Sequence, residues 1–571
     1  MRKAGTERLV RIAVTAVLFG LLLCGSAAAE RTLTAGCPSV CNETVTARKE
    51  GNNWVLSLPG CWDLSKLTLE LSGSATVRIG REELEVAAGQ TADLSAMAGE
   101  RQKLLSEKGK PAGYVKILQG SEIPALFLTV DGNELKKVNQ KKGYPAETGR
   151  AVFCEADGRV SCDGELSQLK ARGNTTFNYP KKPYQFKLKE KASLCGMSSA
   201  KTWVLLANWL DVSLLRNQIV LDISRAVGLR YAVGCEQTDV WINGSYQGLY
   251  LLTEKIQIGR GRVDITDLEK ATEEANDGLP DPGEMDKKRR EGYKMFRSYP
   301  SVQDPEDITG GYIMNIEKNY RMLRDDAVGF RTENMLNIRI REPDYPSTAQ
   351  VAYLGGLIRE TEHALLAEDG IAPETGKAYD EYLDVDSFAR KFLIEDWCKN
   401  YDAMCGSQYL YKDSDRVDPL IYAGPAWDYD LSFGNMWDKG YLTTASYLAN
   451  FQQDNNIYWL LYRQDGFRER LSQVWRESFR HAAAVVLGEI PAPQGSVLRS
   501  FDEYRDRIEA SARMNFSKWE VDRAHTLKYA GRDFRSAAAF LKNWITEHTR
   551  AMDELYGSGD TEERPEAKKQ D

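Results

Sequence analysis

Gln237–Ile256 reads QTDVWINGSYQGLYLLTEKI, two runs rich in β-branched, aromatic and aliphatic residues that meet at Asn243-Gly244. A two-residue hairpin turn needs positive φ at both central positions, which Asn-Gly supplies at the least steric cost, so this is the strongest short hairpin signal in the chain. The stretch therefore predicts two β-strands paired through this turn. On its amino-terminal side, DVSLLRNQIVLDISRAVGL sets Leu214, Leu215, Ile219, Leu221, Ile223 and Val227 at the spacing of an amphipathic helix, with Asp211 as its N-cap. Farther upstream, PALFLTVDGNEL predicts a buried strand running into an Asp131-Gly132 turn, and CEADGRVSC a hairpin centred on Gly158.

The ends of the chain have different patterns. Residues 31–115 alternate apolar and polar positions in short runs (NWVLSL, LTLELS, ATVRIG), as in a small β-rich, sandwich-like module. Residues 267–308 are charged, proline-containing and poor in aliphatics, and predict a surface insertion. Beyond it, segments such as AYLGGLIRETEHALL and DSFARKFLIEDWCKNY predict a mostly helical remainder, with a helical extension over 481–556 and a disordered tail after Gly557. The fold class expected is α+β, with hairpins first and helices after.

Residues 1–29 place Arg2, Lys3, Arg8 and Arg11 before the apolar run Ile12–Leu23 and the small residues Ala27-Ala28-Ala29, the pattern of a cleaved export signal. The run is short for a membrane span of ~20 residues, and no later segment reaches that length. A secreted or envelope-associated protein without a membrane span is expected. Cys24 could instead carry a lipid, but the bulky Leu23 before it departs from the small residue such a box requires. Export permits disulfides. Cys154 and Cys162, symmetric about Gly158, are the favoured pair, while buried unpaired thiols are the competing reading for several of the others.

Composition excludes some chemistry. The 571 residues are 42% hydrophobic, ample for sizeable cores, and 75 Lys+Arg against 83 Asp+Glu leave a formal net charge of −8, no footprint for duplex nucleic acid. Four histidines, scattered without ligand spacing, provide little for zinc sites or Ser-His-Asp catalysis. Carboxylates, lysines and arginines must do the work.

Three constellations and one isolated charge stand out. In Arg172-Gly173-Asn174-Thr175-Thr176 followed by KKPYQFK, a glycine turn exposes backbone N–H groups near Lys181, Lys182 and Lys187, either a phosphate site or a solvated basic hairpin. In AWDYDLSFGN, Asp428 and Asp430 on one side of an extended strand could ligate Mg²⁺ or Mn²⁺, or could cap a turn. Asp402, just past the helix ending in EDWCKNY, could accept a hydroxyl proton beside that metal, or could sit in a surface salt bridge. Glu254 interrupts an apolar strand and is either functional or a water-facing edge carboxylate.

Taken in order, KARGNTTFNYPKKPYQFKL, LLANWLDVSLLRNQIV, VWINGSYQGLYLLTEKI, NYDAMCGSQYLY and AWDYDLSFGN resemble the CotH (spore coat protein H-like) kinase family over roughly residues 122–480. The resemblance implies an atypical, bilobal protein-kinase-like domain that binds ATP with a divalent metal and transfers the γ-phosphoryl group to protein hydroxyls. It implies Asp428 as the metal-binding aspartate with Asp430 beside it, and Asp402 as the catalytic-loop aspartate. Arg172 with Lys182 or Lys187 would face the phosphates, and Glu254 would join the nucleotide site. One departure is visible: where an Asn would follow Asp402 as a second metal ligand, the chain has Ser407 and Gln408. A pseudokinase that keeps the fold for binding at the cell envelope is the alternative. Hydrolysis of phosphoesters or glycans by Asp428 and Asp430 is a third class.

Overall fold

The computed structural model describes residues 31–281, 283–288, 293–317, 327–402, 406–436, 439–445, 456–521 and 531–557. The expected export signal, Cys24, Cys405 and the tail after Gly557 lie outside the described residues. The chain divides into two compact units, one of them running to Leu118 without Pro59–Cys61, which belong with the second.

The first unit is the β-rich module. Leu33–Gly36 pairs with Thr44–Thr46 and Leu67–Leu71, and Thr91–Ala92 pairs with the latter. A second sheet runs Arg48–Glu50, Asn53–Leu58, Pro111–Gln119, Arg101–Ser106, Thr76–Ile79, Leu84–Ala87. Period-two patterning decides its core: Leu67, Leu69 and Leu71 are buried while Glu70 between them is exposed.

The second unit opens with a closed seven-stranded β-barrel. Its order is Ala200–Leu206, Tyr184–Ala192, Val160–Ala171, Gly149–Cys154, Ala125–Thr129, Cys235–Ile242, Ser245–Glu254, and the last strand pairs back with the first. Leu126, Leu128, Phe153, Leu169, Tyr184, Phe186, Trp203, Leu205, Tyr250 and Leu252 fill the interior. Val204, Leu249 and Leu251 alternate with these on the outside and pack into a larger core with helix Arg216–Ala226. Strands buried on both faces must be apolar throughout, which accounts for the unbroken WVLL and LYLL runs. Asn243 and Gly244 hold φ of 50° and 74° in the hairpin between the last two strands.

Six expectations need correction. Asp131 does not open a hairpin turn: its carboxylate accepts the N–H groups of Asn133 and Glu134 and caps helix Gly132–Gln140. Asp211 acts one turn early, because Leu214 takes a left-handed φ of 59° and the helix starts only at Arg216. No disulfide joins Cys154 to Cys162. A register shift at the end of the hairpin sets Cys162 opposite Phe153 and Cys154 opposite Val160. The carboxyl-terminal half contains a seven-stranded antiparallel sheet, ordered Asp286–Lys288, Tyr293–Ser298, Gly329–Thr332, Asn337–Glu342, Tyr312–Ile316, Gln408–Lys412, Ile421–Ala423. Its interior strand YIMNI is buried throughout and lacks the alternation that would have announced it. Part of the 267–308 stretch is built in, through helix Leu268–Ala275 and strand Tyr293–Ser298. Finally, AWDYD is not a strand: Asp428 holds φ +75° in irregular chain beyond Ile421–Ala423.

The long helices follow their capping signals. Ser347 with Gln350 closes a capping box on Thr348–Leu366, as do Ser500 with Glu503 on Phe501–Lys518. Among the described residues no helix is long and apolar enough to cross a membrane.

Candidate active site

Helix Val385–Cys398 ends at Lys399, whose left-handed φ of 42° turns the chain sharply and delivers Asn400 and Asp402. Asn400 is fully buried, and its side-chain oxygen accepts the Asp402 N–H at 3.2 Å. Across from it, Tyr429 N donates to Asn217 Oδ1 at 2.8 Å, and Asn435 donates to the carbonyls of Asp430 at 2.6 Å and Leu210 at 2.9 Å. These bonds fix the backbone of the Asp428–Asn435 turn. Ser407, itself left-handed at φ 56°, donates its hydroxyl to Asp428 Oδ2 at 3.0 Å. Left-handed backbone in two non-glycine residues that touch one another is conformational cost concentrated at one point, a common mark of functional geometry.

The electrostatics show which acids converge. Burial is the main cause that pushes the Asp430 carboxyl well above the usual carboxylate range, and Asp428, Asp402 and Asp211 add to it. Four acids from three chain segments thus share one field. Asp428 and Asp402 both act on Asp430, and an irregular turn, not strand alternation, holds the Asp428–Asp430 pair. Asp211 joins them unforeseen. It is fully buried, and Arg216 donates Nη1 to its Oδ1 at 2.5 Å.

Basic residues approach from the barrel. Arg172 continues the ladder of strand Val160–Ala171, donating its N–H to Pro183 O at 3.0 Å, and its guanidinium lies 5.2 Å from the Trp427 ring centroid. Burial lowers its pKa, with Tyr409 and Asp428 opposing and Arg341 adding. Two residues back, on the outer side of the same strand, Lys170 is half-buried. Burial, Lys255 and Arg172 push its pKa down, Asp344 opposes them, and Lys187 adds a smaller push. Lys170 opposes Gln185 and Lys187 opposes Gln168 across the strand pair, so both stand outside a barrel filled by Leu169, Tyr184 and Phe186. A cavity of about 390 Å³ opens at Lys255 and Asp344, lined also by Gln257, Glu269 and Glu342.

The other two expected residues are placed elsewhere. Lys182 folds back on its own loop, donating Nζ to Phe177 O at 2.6 Å with the amine 4.9 Å from the Phe177 ring centroid. Glu254 is buried, not a water-facing edge charge. It pairs with Arg262 through Oε1 and accepts the Gly234 N–H through Oε2 at 2.9 Å, while Arg262 covers the Trp203 ring. Lys170 and Lys255 were the residues the motif reading passed over. The two-residue spacing from Lys170 to Arg172 on a strand was the available signal.

The donor set is all oxygen, which suits a hard divalent cation. Among the described residues no three His, Cys, Asp or Glu side chains gather closely enough to enclose a metal by themselves. No curated protein matches the chain. The family model described as CotH kinase protein matches residues 169–552, from the strand bearing Lys170 and Arg172 to the end of helix Phe534–Met552. With two thirds of its length matched, the chain belongs to the CotH kinase protein family.

Proposed function

We propose that this chain is an exported, metal-dependent protein kinase of the CotH type that transfers the ATP γ-phosphoryl group to Ser/Thr hydroxyls of a surface or envelope protein. The barrel and the carboxyl-terminal half, with its antiparallel sheet and helices, serve as the two lobes of a kinase-like domain. The observation that carries the reading is the meeting of Asp402, Asp428 and Asp430 in one field with Arg172 against Trp427, next to Asp428. Phosphoryl transfer asks a protein mainly for positioning and for stabilisation of the equatorial oxygens, and this juxtaposition of acids and bases suits both.

In this reading Asp428, with Asp430, would hold Mg²⁺ or Mn²⁺, which when bound supplies charge neutralisation to the phosphate oxygens. Arg172 and Lys170, with Lys187 and Lys255, hold the phosphates. Asp402 accepts the proton of the acceptor hydroxyl. Asp428→Ala should lower phosphate incorporation from radiolabelled ATP by at least ~10²-fold in Mg²⁺ or Mn²⁺, the scale of losing one preorganised electrostatic contact. Unchanged incorporation overturns the assignment.

One observation favours the second reading, a non-catalytic binding protein. Ser407 stands where a second metal ligand would be expected, and its hydroxyl is already given to Asp428. A ligand that binds only the folded state raises its melting temperature, so a thermal-shift gain with Mg-ATP supports the enzyme. No gain with any nucleotide and divalent ion supports the binding protein.

A further inference from the structure

Arg216 is fully buried, yet none of its contacts serves its own helix except through Asp211. Its Nε donates to Ser432 O at 2.9 Å, across more than two hundred residues of chain. Its Nη1 donates to Asp211 Oδ1 at 2.5 Å and to Ser213 Oγ at 3.1 Å. Asp211 Oδ2 accepts the Arg216 backbone N–H at 2.9 Å, and Asp211 Oδ1 accepts the Ser213 N–H at 2.9 Å. The guanidinium is thus clamped in one orientation. Nη2 has no hydrogen-bond partner, so the site keeps an arginine despite a buried donor left over.

The carbonyl it holds belongs to the acid turn. Ser432 Oγ donates to Tyr429 O at 2.7 Å, and Tyr429 sits between Asp428 and Asp430. The adjacent Asn217 accepts Tyr429 N, and the Leu210 carbonyl accepts Asn435. Residues 210–217 therefore grip the Asp428–Asn435 turn at three points along its length. A backbone held at three points has little freedom to shift its carboxylates.

We infer that Arg216 is a positioning residue for metal: by fixing Ser432 O it sets where Asp428 and Asp430 present their oxygens, without touching cation or nucleotide. This rests on the reading of those aspartates given above. Partners that orient metal ligands typically account for 10–100-fold in affinity. Lysine keeps the charge near Asp211 but lacks the planar fork that serves Ser432 and Asp211 together.

The test uses the purified chain, with Mn²⁺ titrated by electron paramagnetic resonance in the presence of ATP and ATP alone titrated calorimetrically in EDTA. Arg216→Lys should weaken Mn²⁺ binding about 10-fold or more and lower kcat, while the metal-free ATP affinity stays within about 2-fold. A merely structural role would degrade both affinities together. Wild-type Mn²⁺ affinity in the variant overturns the inference and leaves the site reading intact, whereas absence of Mn²⁺ binding by the wild type overturns both. Should Arg216→Lys not fold, Asn217→Ala removes the neighbouring grip, and the same selective loss is expected. A parallel fall in both affinities there refutes the positioning role.

Discussion

Ser407 donates its hydroxyl to Asp428 Oδ2 at 3.0 Å while both residues hold left-handed backbone, at φ 56° and 75°. The bond engages one oxygen of the carboxylate that the proposed function assigns to the cation. Ser407 lies at the position where the family resemblance leads one to expect an Asn ligand, and it supports Asp428 instead. A hydrogen bond to a charged group contributes roughly 1.5–3 kcal/mol.

Ser407→Gly separates orientation from strain. Glycine accepts positive φ at no steric cost, so the backbone needs no adjustment. We expect a melting temperature within about 2 °C of the wild type, since relief of strain and greater freedom of the unfolded chain offset one another. Phosphoryl transfer should fall about 10-fold, the lower end of the lost hydrogen bond. Full activity would show that Asp428 holds its orientation unaided.

Lys170 and Lys182 are predicted to differ sharply. Lys170 is half-buried, in the field of Lys255, Arg172 and Lys187 with Asp344 as counter-charge, an arrangement that an arriving polyanion relieves. Lys182 is already engaged by Phe177 O. Lys170→Met should weaken ATP binding, measured by calorimetry, about 10-fold or more, as loss of one charge-assisted contact implies. Lys182→Met should change it by no more than about 2-fold. The reverse ranking would return the phosphates to the Gly173 loop.

What could be read from the residues was what local chemistry decides. The Asn243-Gly244 hairpin depends on neighbours a few positions away, and it occurs where the spacing places it. Barrel closure between Ala200–Leu206 and Ser245–Glu254 is a pairing across some fifty residues, with no local signal to announce it. The same limit hid Asp211. Its role near Asp430 depends on the contact of residues 210–217 with a turn more than two hundred positions away, whereas its cap-like spacing was visible at once. Asp428 and Asp430 were found by alternation in an expected strand, and the strand is absent. They converge with Asp402 because tertiary bonds from Asn217 and Asn435 hold the turn, so the pair was singled out by a geometry the fold does not have.

Glu254 gives a stability prediction that also settles its role. Its carboxylate is the counter-charge of buried Arg262, whose Nε and Nη2 have no hydrogen-bond partner. Glu254→Gln would leave that guanidinium buried without its charge partner, a change that costs about 3–5 kcal/mol. Urea unfolding should register the loss, while ATP affinity, measured where the variant is folded, stays within about 2-fold. A variant of normal stability with weakened ATP binding would instead place Glu254 in the nucleotide site.

Helix Phe501–Lys518 is joined to the barrel side by a ladder of polar contacts in which two buried acids set a pH dependence. Tyr504 OH donates to Asp222 Oδ2 at 2.8 Å, and Ser511 Oγ donates to Asp239 Oδ2 at 2.6 Å. Burial is the chief cause that pushes Asp222 from 3.8 up to about 7, with Tyr504 opposing. Because the folded chain resists an ionisation that the unfolded chain makes freely, the stability this group contributes is intact near pH 4 and is lost as pH rises toward 7, above which the deficit levels off. The gap corresponds to about 4 kcal/mol at pH 8. Asp222→Asn keeps an acceptor for Tyr504 and cannot ionise. Its stability relative to the wild type should differ by less than about 1 kcal/mol at pH 4 and rise to a gain of about 2–4 kcal/mol at pH 8, measured by urea unfolding at both values. A difference that does not change with pH would mean that Asp222 is ionised in the fold, and that the contacts with Tyr504 and the nearby arginines outweigh its burial.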